Sequence, residues 1–485
     1  MQNKIIRLWD YTSPNNWIPN GLNYNFLNIY LENDFNEYVP EKFLKTYQQV
    51  SVYDCHLNTA PHIFNDCAVS DFYNNDQLTL YTVTPFGNLL TGLGEDFSWH
   101  LDKTFFDFVS NVSIKLINEK DNVFLYFDYS TEGDVREQAF EAIYKGIKKV
   151  GINPNKVIFV SSAINLSEIH KKYLEENPED IQIKVGLNPW AFLGKSREIA
   201  RILEGNDYSF KGKNSTYLKT EDIDFKSKRK VKFNYLNRRL RPHRLVLLSL
   251  LESEKLIEDN YVSYDLDLSF HGKDRNFYEI ITQERTIKNK PLLSDRNYLG
   301  SCLKGYRRLN KRYKKTIDFD DINSVWGFGY ESPWIYNESY FTVVSETLFY
   351  ERGVYMSEKT FKPIAHCHPF VIVSKEGTLK YLKELGFKSF DDLWDESYDS
   401  IEDDSERIVA VFELIRELSN KSDDEWIDIY EKIKDRLIFN REHLLSISQR
   451  EDITGDIFIN NLNKIAYESN EENYSLLQGI EKETR

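Results

Sequence analysis

Glu358 and Lys359 stand side by side in "YMSEKTFKPIAHCHPFVIV" (355–373), where an amphipathic helix would begin. Ser357 can cap that helix, which puts the pair in its first turn, beside free N–H groups and the positive end of the dipole. A lysine there opposes the dipole, and a bound anion would offset the conflict. A diphosphate can accept from the N–H groups and pair with Lys359. The carboxylate alongside suits the two hydroxyl donors of a ribose. On an ordinary helix the same pair is a surface ion pair worth little.

A second cluster lies in "NYLNRRLRPHRLVLLSLLE" (234–252). Asn237 closes an apolar strand, and Arg238, Arg239, Arg241, His243 and Arg244 crowd the turn that follows. Positive charge at the carboxyl end of a strand is well placed to hold phosphate, and the planar guanidinium fork matches its oxygens. A solvated basic turn is the plainer alternative. Glu346 closes another strand, "FTVVSE", and is placed to touch or support the same ligand. Reaction at a hydroxyl also needs a base. "FDYSTEGD" (127–134) offers Asp128, Glu132 and Asp134 after a buried strand, with Glu132 favoured. The same residues also read as a helix start, capped by Ser130 or Thr131.

The elements that must carry these residues alternate. "NVFLYFD" (122–128), "NKVIFVSSA" (155–163) and "IQIKVGLN" (181–188) are strands, and residues 135–151 and 166–177 are amphipathic helices. After a polar stretch at 210–230 the rhythm resumes. Strands at 231–236, 341–346 and 369–374 alternate with helices at 242–256 and 357–366, and acidic helices run from about 400 onward. Such alternation predicts parallel sheets. The expected architecture is α/β, with two Rossmann-like domains facing a central cleft and C-terminal helices. The boundaries fall at 1–225, 226–440 and 441–485, the last segment crossing back to the first domain.

A length of 485 residues suits two cores, and the net charge of −15 argues against wholesale coating of a polyanion. Two tracts run the other way: residues 226–244 hold nine Lys/Arg and no acid, and 304–315 hold seven. With Tyr306 and Tyr313 interleaved, they leave open a non-catalytic protein that binds nucleic acid or another polyanion. The four cysteines form no CxxC, no apolar leader is present, and no run approaches a membrane span. A cytoplasmic protein of a bacterium or a virus-infected host cell is expected. "DLD" (265–267), "DFDD" (318–321), Cys55–His56 with His62 and Cys67, and His366–Cys367–His368 are weak metal signals, and no metal or cofactor is assigned. Phosphate-loop and dinucleotide motifs are absent from the sequence.

"YMSEK", a helix and "HPFVIV" together resemble the donor-binding signature of α1,3-fucosyltransferases and their GT-B-fold relatives. The "NRRLRPHR" element joined to "SEKTFKPI" is similar to C-terminal segments of phage and bacterial glycosyltransferases. The likeness covers about 234–250 and 340–390. It implies a GT-B-like glycosyltransferase that moves a sugar from a nucleotide-sugar donor to a hydroxyl, with inversion and without a metal. The acceptor would be a glycan or a nucleic-acid base. By the same resemblance Tyr355 contacts the nucleotide, Glu358 the ribose and Lys359 the diphosphate, with Arg244 the second phosphate ligand. A long insertion between Arg244 and Glu358 departs from the pattern and leaves Arg241 and Arg239 as alternatives to Arg244.

Overall fold

The computed structural model describes residues 5–9, 64–68, 76–83, 111–129, 133, 135, 137–187, 209–210, 213–214, 217–237, 241–265, 293–311, 314–315, 334–350, 353–448 and 460–468. The chain divides into two compact units, 1–190 with 450–485, and 191–449.

Among the described residues, the first unit holds six parallel strands: β1 (Ile5–Trp9), β2 (Phe64–Ala68), β3 (Thr79–Val83), β4 (Val123–Tyr129), β5 (Val157–Ser161) and β6 (Lys184–Leu187). Their order is β2-β1-β3-β4-β5-β6. All five residues of β5 are buried, as a strand covered on both faces requires. Helices α1 (Asn111–Glu119), α2 (Glu137–Val150) and α3 (Leu166–Glu176) accompany the sheet. Phe140, Ile143, Tyr144 and Ile147 form the apolar stripe of α2 and pack with Ile169 and Tyr173 of α3 against Leu125, Phe127 and Phe159. The alternate strand residues, Leu80, Phe124, Tyr126, Ile158 and Val160, are covered by Leu462, Ile465 and Ala466 of the helical stretch 460–467.

In the second unit β7 (Ser209–Phe210) and β8 (Lys213–Asn214) form a small antiparallel ribbon. The main sheet comprises β9 (Val231–Leu236), β10 (Tyr261–Asp265), β11 (Lys314–Lys315), β12 (Ser339–Ser345) and β13 (Phe370–Val373), ordered β11-β10-β9-β12-β13. All of its pairings are parallel except that of β11. The helices are α4 (Pro242–Ser253), α5 (Arg296–Asn310), α6 (Trp334–Asn337), α7 (Glu358–Ala365), α8 (Thr378–Glu384), α9 (Asp404–Asn420) and α10 (Asp423–Ser448). From β9 the chain passes to β10 on one side, and later returns to β12 on the other. The carboxyl ends of β9 and β12 therefore flank the point where strand order reverses, the place at which open parallel sheets bind ligands.

The observed division departs from the expected boundaries at 225 and 440. The polar stretch before β9 packs into the second unit. Tyr217 stacks on His366 at 4.8 Å, and Arg441 Nη2 donates to Leu218 O at 2.5 Å. Position 440 lies inside α10, a single 26-residue helix, so only the chain beyond 450 joins the first unit. Among the described residues, no helix is long and apolar enough to cross a membrane.

Candidate functional site

Three chain segments meet at the reversal point: the end of β9 with the first turn of α4, the end of β12, and the start of α7. Pro242 opens α4, where its missing N–H costs nothing. That turn brings His243 and Arg244 under the end of β12. His243 Nε2 lies 3.0 Å from Glu346 O, while Arg244 Nη2 donates to Ser345 O at 2.9 Å and to Glu346 O at 3.1 Å. Burial pulls the Arg244 guanidinium down to about 10, against the opposing pull of Tyr235, Glu346 and Glu358. The His243 imidazole is held well below its ordinary range, first by burial and then by Arg244.

Glu346 is fully buried, and its carboxylate is occupied by the start of α7. Oε1 accepts from Ser357 N at 3.0 Å and from Thr360 Oγ1 at 2.6 Å, and Oε2 accepts from Ser357 Oγ at 2.6 Å. An acid at a helix N-terminus also complements the dipole. Of the two roles expected for Glu346, these bonds belong to the supporting one: the carboxylate holds the start of α7.

Ser357 caps α7, accepting from Lys359 N at 3.3 Å. Lys359 Nζ donates to Ser357 Oγ at 3.0 Å and to Glu358 Oε1 at 2.9 Å. Burial tends to raise the Glu358 carboxyl, and the charges of Lys359 and Lys362 outweigh it, leaving the group below its ordinary value. The side chains of Glu358 and Lys359 remain 14% and 32% exposed, so this is a half-buried pair with access to solvent. Tyr355, in the loop leading to α7, is buried.

Among the described residues, a set of buried polar atoms at the same point makes no close hydrogen bond outside the set: Tyr235 Oη, both amide atoms of Asn237, Arg241 Nε and Ser345 Oγ. Burial pushes the Tyr235 phenol up to about 12, with Ser345 and Arg244 opposing. Asn237 is held by its backbone N–H, which donates to Ser263 O and Ser263 Oγ, each at 3.1 Å. Buried polar groups are normally paired, and one left without a partner costs roughly 1–3 kcal/mol. Several in one place, at a topological switch point, are groups that a polar ligand could engage. Tyr235 and Ser345 were not singled out from the sequence. The end-of-strand rule that selected Asn237 and Glu346 would have found Ser345, whereas Tyr235 carries no such signal.

The structure thus gathers Asn237, Arg241, Arg244, Glu346, Tyr355, Ser357, Glu358 and Lys359 in the second unit. Arg239 and Glu132 lie outside the described residues. Asp128 sits near the carboxyl end of β4, opposite Val160 of β5. The segments following β1 and β3, at the switch point of the first unit, are also outside them. Among the described residues no His, Cys, Asp or Glu cluster could hold a metal ion. His368 of the "HCH" run is committed elsewhere, with Nδ1 2.9 Å from Thr342 Oγ1 and Nε2 2.8 Å from Ser339 O.

No protein-family model matches this sequence, and no curated protein matches it. A solved structure similar to the chain is that of the Candida albicans trehalose-6-phosphate phosphatase N-terminal domain. It is 9% identical, with 94% of this chain and 97% of that one covered at a TM-score of 0.34. A likeness at that level carries no argument about activity.

Proposed function

We propose that the protein is a glycosyltransferase of the GT-B kind, moving a sugar from a nucleotide-sugar donor to an acceptor hydroxyl. What carries the reading is the group of buried polar atoms on Tyr235, Asn237, Arg241 and Ser345 beside the start of α7. Those atoms, the N–H groups of α7 and the Glu358–Lys359 pair are together suited to a nucleoside diphosphate: hydroxyls for the carboxylate, phosphates for the cations. Arg244 is largely engaged by β12, so in this reading Arg241 takes the phosphate and Arg244 holds the strand end that presents it. The anomeric carbon–oxygen bond to the diphosphate breaks, and its electron pair leaves on the nucleoside diphosphate, neutralised by Lys359 and Arg241. The acceptor oxygen forms the new bond, with inversion, and its proton passes to a carboxylate of the first unit, Glu132 or Asp128.

The experiment is a thermal-shift panel of GDP, UDP, dTDP and CMP. One diphosphate should raise the melting temperature, and Lys359→Ala and Glu358→Ala should each abolish that rise without lowering the unliganded value. Undiminished stabilisation in both variants would refute the assignment.

The competing reading, a polyanion binder using both basic tracts, loses support from the first of them. Lys228 pairs with Asp424 at 3.1 Å, Lys230 with Glu338 at 3.5 Å and Lys232 with Asp423 at 2.8 Å. Arg229 is buried and donates to the carbonyls of Asn337 and Asp224. These charges secure the amino-terminal side of the sheet, away from the strands' carboxyl ends.

A further inference from the structure

The second basic tract is placed quite differently. Its first half, 304–310, is the carboxyl end of α5, which runs parallel to α4 and in step with it. Cys302 Sγ meets Val246 O at 3.8 Å, and Arg308 Nη1 donates to Glu252 O and Ser253 O at 3.2 and 3.3 Å. Between them the helices approach so closely that a Cβ on Gly305 would lie 1.7 Å from Ser249 O. Extending that register puts Gly300 level with Arg244, at the end of α4 where the candidate site stands. Tyr298 secures the neighbouring flank, donating to Glu413 Oε1 of α9 at 2.8 Å.

With those faces occupied, Arg296, Gly300, Lys304, Arg307 and Lys311 all point outward and are exposed. Their spacing of three or four residues makes one stripe, about 22 Å long at the helical rise. None of the four cations has an ion-pair partner among the described residues, whereas Lys228, Lys230 and Lys232 of the first tract are all paired. The acid beside the stripe, Asp295, is engaged as the cap of α5. Gly300 adds a second observation. A glycine weakens a helix interior relative to alanine, and nothing lies within 4 Å of where its Cβ would be, so packing does not require it. It leaves bare backbone between Arg296 and Lys304, one turn to either side, where a compact anion can come close.

We propose that this outer face of α5 docks the phosphodiester backbone of a nucleic acid. The molecule as a whole carries −15, so attraction of a polyanion must be local, and this stripe supplies it. A protein partner would call for an apolar or aromatic centre in the patch, and the stripe contains only arginine, lysine and glycine. Along the axis of α4, the stripe starts level with the candidate site. That level is compatible with nucleic acid as the acceptor of the transfer, a step that rests on the function proposed above, whereas the docking itself does not.

The test is fluorescence anisotropy with the full chain and a labelled 25-base-pair duplex, alongside a single strand of equal length, at 50 and 200 mM KCl. Binding should weaken about 100-fold across that range, as three to four neutralised phosphates require. The triple variant Lys304→Glu/Arg307→Glu/Lys311→Glu should lose binding while keeping its melting temperature and any nucleoside diphosphate shift. Gly300→Leu should weaken binding without unfolding the helix. The proposal is overturned if the wild-type chain shows no salt-dependent binding to either probe, or if the triple variant binds as tightly as wild type. It is equally overturned if the chain binds neither probe but self-associates in sedimentation through this face. Loss of the nucleoside diphosphate shift in Lys359→Ala, with nucleic-acid binding intact, would separate the two sites.

Discussion

At the scale of single residues, the question is what each polar group is already doing. Glu346 is heavily engaged: three donors from Ser357 and Thr360, at the start of α7, converge on its carboxylate. Glu346→Ala would leave those donors buried and unpaired, so unfolding should become easier by roughly 3 kcal/mol. Glu346→Gln, which keeps an acceptor oxygen, should recover most of that in a denaturant melt. Nucleoside diphosphate binding should follow the same order, because the residue acts by aiming α7. Lys359 is only half-engaged, and Lys359→Ala should weaken that ligand by about 10–100-fold in calorimetry, the worth of a charge-assisted hydrogen bond. The residue types at the site were legible in the sequence because strand ends and helix starts follow from apolar runs and a serine cap. What each residue touches was not. Nothing local to Arg241 or Arg244 tells which one β12 engages, and that depends on how β12 and α4 meet.

The same contrast appears between elements. β4, β5, β12 and β13 are largely apolar runs that the fold buries, so their composition announces them. β1 "IIRLW", β2 "FNDCA" and β10 "YVSYD" are as short but mixed, and only pairing with neighbours defines them. α5 carries two glycines and a run of cations, so the carboxyl half of this 15-residue helix read only as the start of a basic tract. Its two glycines separate by context. Gly305→Ala must force α5 off the Ser249 carbonyl and should lower the melting temperature by several degrees, whereas Gly300→Ala should raise it slightly. Packing of α2 on α3 makes a pH prediction. His170 is buried against Phe140, with Nε2 2.9 Å from Tyr144 Oη, and burial lowers its pKa to about 4. The unfolded chain takes up that proton near pH 6.5 and the folded one does not, so stability should fall as pH drops from 6.5 toward 4, by roughly 3 kcal/mol for this group. Replacing it in His170→Phe should flatten that part of a stability–pH curve.

At the scale of the molecule, chain order and unit order differ. The residues after 450 leave α10 and belong to the first unit, whose sheet they help to cover. Side chains explain why the return is fixed. Ile465 lies where a Cβ on Gly186 would come within 2.7 Å of it, so β6 keeps a glycine at the point of closest approach. Tyr467 packs edge-on against Phe124 with ring centres 5.6 Å apart, and Lys184 Nζ donates to Glu468 O at 3.3 Å. A chain ended after Gln449 would uncover Leu80, Phe124, Tyr126, Ile158 and Val160 on one face of the six-stranded sheet. Burial of Leu462 and Ile465 alone is worth roughly 3–6 kcal/mol, a large part of the stability of a typical domain. The truncated chain should therefore bind a hydrophobic dye and lose protection from hydrogen exchange in β3, β4 and β5. Strands β9, β12 and β13 draw their cover from within 191–449 and should stay protected. If β9 and β12 lost protection to the same extent, the two units would unfold as one, and the helix beyond 460 would be holding more than its own sheet.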